Sequence, residues 1–312
     1  MATWLPIALF IDRGFAVEPF AEQLDGELDC RERVEPDERE RVVALVTGAE
    51  PVGAEQVAPF PNLRVVLTCS IGVDHLDVAE LRRRRLRVAN TPSYCTEEVA
   101  DHALACLLAG WRGLWRLGED VRDGRWEPGT RLRRFDAQRL GIVGLGRIGA
   151  ALARRALALG IEVVGFDPAV VEPPPGVVAV GFEELLASSD AVSLHVPGGS
   201  GEPPLVGRRE LALMPPGALL LNLARASVVD LDAVVDALAR GALAGAAFDV
   251  WPTEPPAPAD PRLQTRGLLV TPHVGWSSEQ AEDAYRAEAI EVLRATLSQR
   301  SSEVAVETRT TL

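Results

Sequence analysis

Short apolar runs alternate with stretches of helical period along the first 90 residues. LPIALFID, RVVALVTG, LRVVLTCS and LRVANTP are rich in Val, Leu, Ile and Ala, with few polar interruptions. A strand with one wet face alternates apolar and polar residues, whereas a strand covered on both faces loses that alternation, so these runs predict parallel strands of an α/β unit. Each run ends in small or turn-forming residues, and such loops gather at the edge of a parallel sheet where ligands bind. Thr96 to Arg116 then predicts one long helix, with Thr at the N-cap, carboxylates in the first turn and an apolar face. After the polar, Gly- and Pro-bearing DGRWEPGTRLRRFDAQ a second series starts at Arg139: GIVG, IEVVGFD, a weak VVAV, AVSLHVP, ALLLNLA, AGAAFDV and LLVTPH. Ser277 to Leu297 has helical period again and is expected to pack back on the first unit, so that both chain ends close one domain. The expected architecture is α/β, with two doubly wound parallel-sheet domains: 93–275 forms one, inserted into another built from 1–92 and 276–312.

Length agrees, since 312 residues at about 150 per domain gives two. Hydrophobic residues make up 47% of the chain but are broken by charge throughout, so no run of about 20 apolar residues predicts a membrane span. The formal net charge is -13 and every basic side chain is Arg, with no Lys. Such a field repels phosphate backbones and anionic lipid heads, which excludes nucleic acid and membrane as expected partners. The basic run Arg82 to Arg87 is read as a solvated face. Cys30, Cys69, Cys95 and Cys106 lack metal-ligand or redox-pair spacing, so reduced, buried thiols and no metal site are expected. The start, MATWLPIALFID, has no basic n-region and reads as a first strand rather than a signal peptide, and a cytoplasmic location is expected.

The segment Gly144, Leu145, Gly146, Arg147, Ile148, Gly149 follows a strand and opens a helix. The first glycine permits a tight turn, the second lets the backbone approach a pyrophosphate, and the third lets helix and strand pack closely. The helix N-terminus adds unpaired N–H groups and a positive dipole end. Asp167, followed by Pro168, ends the next strand 18 residues past Gly149, near the spacing at which a carboxylate reaches the ribose hydroxyls. That charge would repel a 2′-phosphate, so NAD (NADH) is expected in preference to NADP. The second domain is accordingly expected to be a Rossmann domain, and the first flavodoxin-like.

Reducing a 2-oxo acid needs a cation for the carboxylate, a proton donor at the carbonyl oxygen, and a carboxylate that keeps the donor charged and oriented. Arg225, His273 and Glu254 supply these types, and all three follow strands of the nucleotide domain. The planar guanidinium of Arg225 suits a two-point grip on a carboxylate. His273 would exchange the proton, and Glu254 would hydrogen-bond its imidazole and favour the protonated form.

The order and wording of SIGVDHLDV, NTP, VADHALACLL, GLGRIG with FDP, SLHVP, LNLARASVVD, AFDVWPTEP and TPHVGW resemble the D-isomer-specific 2-hydroxyacid dehydrogenases over nearly the whole chain. That resemblance implies a catalytic trio of Arg225, Glu254 and His273. It also implies that backbone amides around Ser70, Ile71 and Gly72 face the substrate carboxylate. On the cofactor side it implies His195, Val196, Pro197, Leu223, Ala224 and Gly275, with Asp249 at the nicotinamide end, and a homodimer formed through the nucleotide domains. SYCTEEVADH and Trp276 are similar to the subgroup containing the C-terminal binding proteins, which implies that Trp276 touches substrate. It also leaves an NAD(H)-sensing binding protein as the rival reading. His102, on an apolar helix face, is read as a core residue without catalysis. Phosphoglycerate dehydrogenases typically carry an Arg where this chain has Thr47-Gly48-Ala49-Glu50, so a second negative charge on the substrate is expected to be disfavoured. Ala226 after the catalytic Arg and the GGSGEPP loop also depart from the family pattern, and formate dehydrogenases place Gln where Glu254 stands. Which 2-hydroxy acid is used is left open.

Overall fold

The computed structural model describes residues 4–12, 16–127, 132–199, 201 and 203–298. They divide into two compact units, one reaching Cys95 and resuming at Ser278, the other Thr96–Ser277.

The first unit holds β1 (Ile7–Phe10), β2 (Asp29–Arg31), β3 (Val42–Thr47), β4 (Val65–Thr68) and β5 (Arg87–Asn90) in one sheet of order β2-β1-β3-β4-β5. Every pairing is parallel, which is the flavodoxin-like arrangement. Successive side chains of a strand point to opposite faces, and each face has its own core. Phe10, Val65 and Leu67 join Phe20, Ile290 and Leu293 on one side, while Leu9, Leu45 and Val66 join Leu81 and Val88 on the other. Burying a side chain of this size contributes about 1.5–3 kcal/mol before entropy is subtracted. Ala289, Ile290 and Leu293 come from the helix Glu279–Ser298, so the C-terminal helix completes the core of this unit.

β2 was not expected. Its three residues, DCR, carry no apolar run and lie half-buried at the sheet edge. Parallel pairing with β1 holds the strand, and Asp29 pairs with both Arg31 and Arg41. The hydrogen bond from Arg31 keeps the Asp29 carboxyl below the usual carboxylate range. Cys30 is only half-buried, a departure from the expected buried thiols, while Cys69, Cys95 and Cys106 are buried.

The second unit holds β6 (Arg139–Val143), β7 (Glu162–Phe166), β8 (Val178–Ala179), β9 (Ala191–Leu194), β10 (Ala218–Asn222), β11 (Leu243–Phe248) and β12 (Leu268–Val270). The order is β12-β11-β10-β9-β6-β7-β8, all parallel. It is a Rossmann sheet with one added strand, and the direction of winding reverses between β6 and β9, where sheets of this kind open a crevice. The weak VVAV signal corresponds to β8, a two-residue exposed edge strand.

The single helix expected over 96–116 is two helices. The first ends at Trp111, Gly113 adopts φ +63°, and a second runs Leu114–Arg122. Glycine takes this left-handed conformation without the steric cost a Cβ brings. Asp120 holds the second helix in place by accepting from Arg125 at 2.7 Å and by pairing with Arg116 and Arg266. Among the described residues no helix is long and apolar enough to cross a membrane, and no cluster of His, Cys, Asp or Glu could hold a metal.

Candidate cofactor and catalytic site

The loops that follow β7, β6, β9, β10, β11 and β12 carry, in that order along one sheet edge, Asp167, the glycine turn, His195, Arg225, Glu254 and His273. The three glycines of the turn differ sharply. Gly144 has φ +93°, and a Cβ there would lie 2.4 Å from the carbonyl oxygen of His195. A Cβ at Gly149 would lie 2.0 Å from the Gly144 oxygen. Around Gly146, by contrast, nothing comes within 4 Å of an added Cβ. Gly144 and Gly149 are therefore required by the protein's own packing, and Gly146 keeps open space in front of the helix Arg147–Ala158, whose N-cap it forms without a side-chain cap. A dinucleotide pyrophosphate fits this cradle, since open backbone and a helix N-terminus are what such an anion needs.

Asp167 accepts the Leu145 N–H at 2.8 Å and the Ala169 N–H at 2.9 Å. It thus fixes the glycine turn from the neighbouring loop. Leu145, expected on the cofactor side, gives its amide to Asp167 and buries its side chain, which is also the atom group nearest to Gly165. Arg147 and Pro168 are exposed and Ile148 is half-buried. His195 meets Ser193 Oγ at 2.8 Å through Nε2, and burial pushes its imidazole down to about 4. Val196 is half-buried and Pro197 exposed, and Leu223 and Ala224 are buried at the start of the loop after β10.

Arg225 is shaped by its own loop. The Asn222 side chain donates to the Arg225 carbonyl at 2.9 Å and accepts the Ala224 N–H at 3.1 Å, while the Arg225 Nη1 donates to the Ala224 oxygen at 2.7 Å. Gly198, in the GGSGEPP loop, is what the arginine stem packs on: a Cβ there would lie 2.9 Å from the Cβ and Cγ of Arg225.

The structure brings Glu254 and His273 together. His273 Nδ1 lies 2.7 Å from Glu254 Oε2, and Glu254 Oε1 accepts the Trp251 N–H at 2.8 Å. With Nδ1 engaged, Nε2 is the nitrogen left to exchange a proton. The His273 side chain is 45% exposed, open to a reactant. Its φ is +51°, a region unusual for any residue with a Cβ and costing about 1–2 kcal/mol.

Asp249 does something the sequence did not reveal. It is 4% exposed, and its Oδ1 accepts from Thr271 Oγ1 at 2.6 Å and Val274 N at 2.9 Å, its Oδ2 from Gly275 N at 2.8 Å. Asp249, expected at the nicotinamide end, and Gly275, expected on the cofactor side, are thus bonded to each other. His102, read as a plain core residue, is part of the same network, with Nε2 3.1 Å from Thr271 Oγ1. Because the single hydroxyl proton of Thr271 goes to the carboxylate, His102 donates there, and its Nε2 carries a proton.

A family model described as D-isomer specific 2-hydroxyacid dehydrogenase, NAD binding domain, matches residues 104–275. A glyoxylate reductase of Korarchaeum cryptofilum is 38% identical over 247 residues, which is 77% of this chain and 74% of that protein. The chain belongs to this family. It is an NAD-dependent oxidoreductase. A D-3-phosphoglycerate dehydrogenase of Archaeoglobus fulgidus is 35% identical over 76% of this chain, which spans only 46% of that protein's length. Among solved structures, a D-lactate dehydrogenase from Aquifex aeolicus complexed with NAD and lactic acid is 26% identical with a TM-score of 0.82, covering 93% of this chain and 94% of that one.

In the first unit of this dehydrogenase, the loop after β4 is tied down by its carbonyls. Ser70 O accepts from Thr91 N, Ile71 O from the Asn90 side chain at 2.8 Å, and Gly72 O from Ser70 Oγ at 2.8 Å. The loop after β3 is tied by its amides: Asp12 accepts Gly48 N at 2.9 Å, Ala49 N at 2.8 Å and the Thr47 hydroxyl at 2.8 Å. Trp276 is half-buried at the turn that precedes the C-terminal helix.

Proposed function

We propose that this dehydrogenase interconverts a small 2-oxo acid and its D-2-hydroxy acid, with Arg225 holding the carboxylate, His273 exchanging the proton and Glu254 orienting His273. The observation that carries this reading is the Glu254–His273 contact of 2.7 Å, with the second oxygen of Glu254 fixed by a backbone amide. Bound NADH supplies the hydride. In reduction, the C2 carbonyl carbon becomes the alcohol carbon, and His273 gives the proton on Nε2 to the carbonyl oxygen. Glu254 offsets the positive charge of the ring before that transfer, and the ring takes the proton back in oxidation. Two oxygens of the substrate carboxylate match the fork of donors on Arg225, which fixes the carbon under attack. Gly144, Gly146 and Gly149 with Asp167 would hold the dinucleotide, and the Asp167 charge favours NAD over NADP.

The glyoxylate reductase and D-lactate dehydrogenase relatives support a substrate with a short side chain. The first unit is proposed as the substrate domain, and its Gly48 and Ala49 amides are taken by Asp12 rather than left for a phosphate. A homodimer through the nucleotide units is supported by Leu114, Val121, Trp126 and Leu132, large apolar residues exposed within one segment, Trp126 by 86%. A cytoplasmic location completes the reading.

The test is NADH consumption with glyoxylate, hydroxypyruvate, pyruvate and 3-phosphohydroxypyruvate, using wild type and His273→Ala. Turnover of one or more of the first three, lost in the variant, is expected, with little on the phosphorylated acid. Tight NADH binding without consumption across the panel would overturn the reading in favour of a sensor.

A further inference from the structure

Thr68, Ser70 and His75 meet within the first unit, around the loop that follows β4. Thr68 is fully buried at the end of that strand, and its Oγ1 lies 2.7 Å from Ser70 Oγ and 3.0 Å from His75 Nε2. Ser70 Oγ in turn donates to the Gly72 carbonyl at 2.8 Å. One placement of protons makes all three contacts hydrogen bonds. A carbonyl can only accept, so the Ser70 proton goes to Gly72; Ser70 Oγ must then accept from Thr68, and Thr68 Oγ1 from His75. The Gly48 carbonyl, 3.4 Å from Thr68 Oγ1, is too distant to compete for that proton. His75 therefore carries a proton on Nε2, and the bonds run in one direction, from the imidazole to the loop.

The other carbonyls of this loop are taken as well, Ile71 O by the Asn90 side chain at 2.8 Å and Ser70 O by the Thr91 N–H at 3.3 Å. Thr68 and Asn90 are register partners on β4 and β5, so the supports stand on strand ends, which hold a site more precisely than a loop can. His75 is fixed too, because its carbonyl accepts the Val52 N–H at 3.0 Å. Among the described residues the Ile71 and Gly72 amides donate to no protein acceptor, and both residues are only half-buried. With its carbonyls spent and these amides unspent, the loop offers N–H groups, which suits an anion.

We propose that Thr68, Ser70 and His75 are positioning residues, a directed relay of three hydrogen bonds that holds the loop after β4 so that the Ile71 and Gly72 amides are left for the substrate carboxylate. The relay rests on the reading of the first unit as the substrate domain, with this loop facing the carboxylate, and the two are separable by experiment.

The experiment compares Thr68→Val, Thr68→Ser, His75→Leu and His75→Gln with wild type. It measures kcat and KM for the best 2-oxo acid of the panel above and the Kd of NADH by fluorescence. Nitrogen-15 NMR of the full chain adds two readouts: the protonation of His75 Nε2, resolvable among four histidines, and the Ile71 amide resonance as the same acid is added with NAD⁺, a pair that cannot exchange hydride. Thr68→Val and His75→Leu are expected to raise KM about tenfold, the scale of one hydrogen bond, with kcat and NADH affinity within about threefold. Thr68→Ser and His75→Gln, which keep a hydroxyl and an N–H donor, should stay within about threefold of wild type in KM. Wild-type His75 should show a proton on Nε2, and the Ile71 amide should shift, at about tenfold higher acid concentration in Thr68→Val. A His75 ring protonated on Nδ1 alone overturns the relay, as does a loss in Thr68→Ser as large as in Thr68→Val, or a loss confined to kcat or NADH affinity. If Thr68→Val does not fold, the His75 pair decides by the same comparisons. A shifting Ile71 amide beside unchanged KM in Thr68→Val and His75→Leu overturns the relay alone; an Ile71 amide that the acid never moves overturns the loop's role and the relay's purpose with it.

Discussion

Glu254 and His273 meet at 2.7 Å through Oε2 and Nδ1, and the carboxylate cannot swing away, because the Trp251 amide holds its other oxygen at 2.8 Å. The imidazole therefore has one orientation and one free nitrogen. Charge and position can be separated here: Glu254→Gln keeps a planar group of the same shape but cannot offset a positive ring. Its kcat is expected to fall about 10²-fold, within the range general acid–base contributions span, with NADH affinity unchanged. A variant within threefold of wild type would show that the carboxylate's charge is dispensable.

The glycine turn gives two opposite expectations from two single methyl groups. Gly149→Ala forces a Cβ to 2.0 Å from the Gly144 oxygen, so it should destabilise the fold by about 3 kcal/mol or more, the upper range for overpacking. Gly146→Ala meets open space, and its melting temperature should match wild type while its NADH affinity falls at least about tenfold, since the added methyl occupies the path of the pyrophosphate. Thermal melts and fluorescence titration separate the two; unchanged NADH binding in Gly146→Ala would remove that glycine from the cofactor site.

Gly198 underlies Arg225. A methyl at Gly198 falls 2.9 Å from the Cβ and Cγ of Arg225 and from Ser227 Oγ, so Gly198→Ala must move the arginine stem. The expected outcome in steady-state kinetics is a KM for the 2-oxo acid raised about tenfold, with NADH affinity retained, because the guanidinium would grip the carboxylate from a displaced position. An unchanged KM would mean that the stem adjusts without moving its head.

His195 predicts a pH window. Its folded-state value of about 4 lies below the ordinary 6.5, so above pH 6.5 the ring is neutral in both states and costs nothing. As pH falls below 6.5 the unfolded chain takes up the proton while the native protein does not, and stability drops until about pH 4, by roughly 3 kcal/mol at most. Urea denaturation at pH 7 and pH 4.5 should show a shallower loss in His195→Gln than in wild type. Carboxylates with lowered values, such as Asp29 and Asp120, lose their contribution only at lower pH. Equal losses in the two proteins would mean that His195 titrates normally.

What the sequence disclosed depended on whether a residue's neighbours in the chain are also its partners in space. The apolar runs showed their strands because two-sided burial leaves a continuous signal, while β2 was silent, its three residues being held by β1 and by ion pairs to Arg31 and Arg41. The helix break at Gly113 was hidden because WRGLWRLG continues an apolar period across it. Glu254 and His273 were legible from their types and from their places after successive strands. The association of His102, Asp249 and Thr271 was not, because these lie far apart in the chain and meet only where the helix Thr96–Trp111 approaches the loops after β11 and β12. Nor was the fixing of the glycine turn legible: Leu145 sits inside the motif, and its buried side chain and its amide bond to Asp167 depend on the neighbouring loop.

The bond from the Leu145 amide to Asp167 ties the first two loops of the nucleotide sheet into a single rigid socket. A receptor whose shape exists before its guest arrives surrenders little chain entropy on association. Crystals of the empty enzyme should therefore take up the dinucleotide by soaking, without the lattice having to yield.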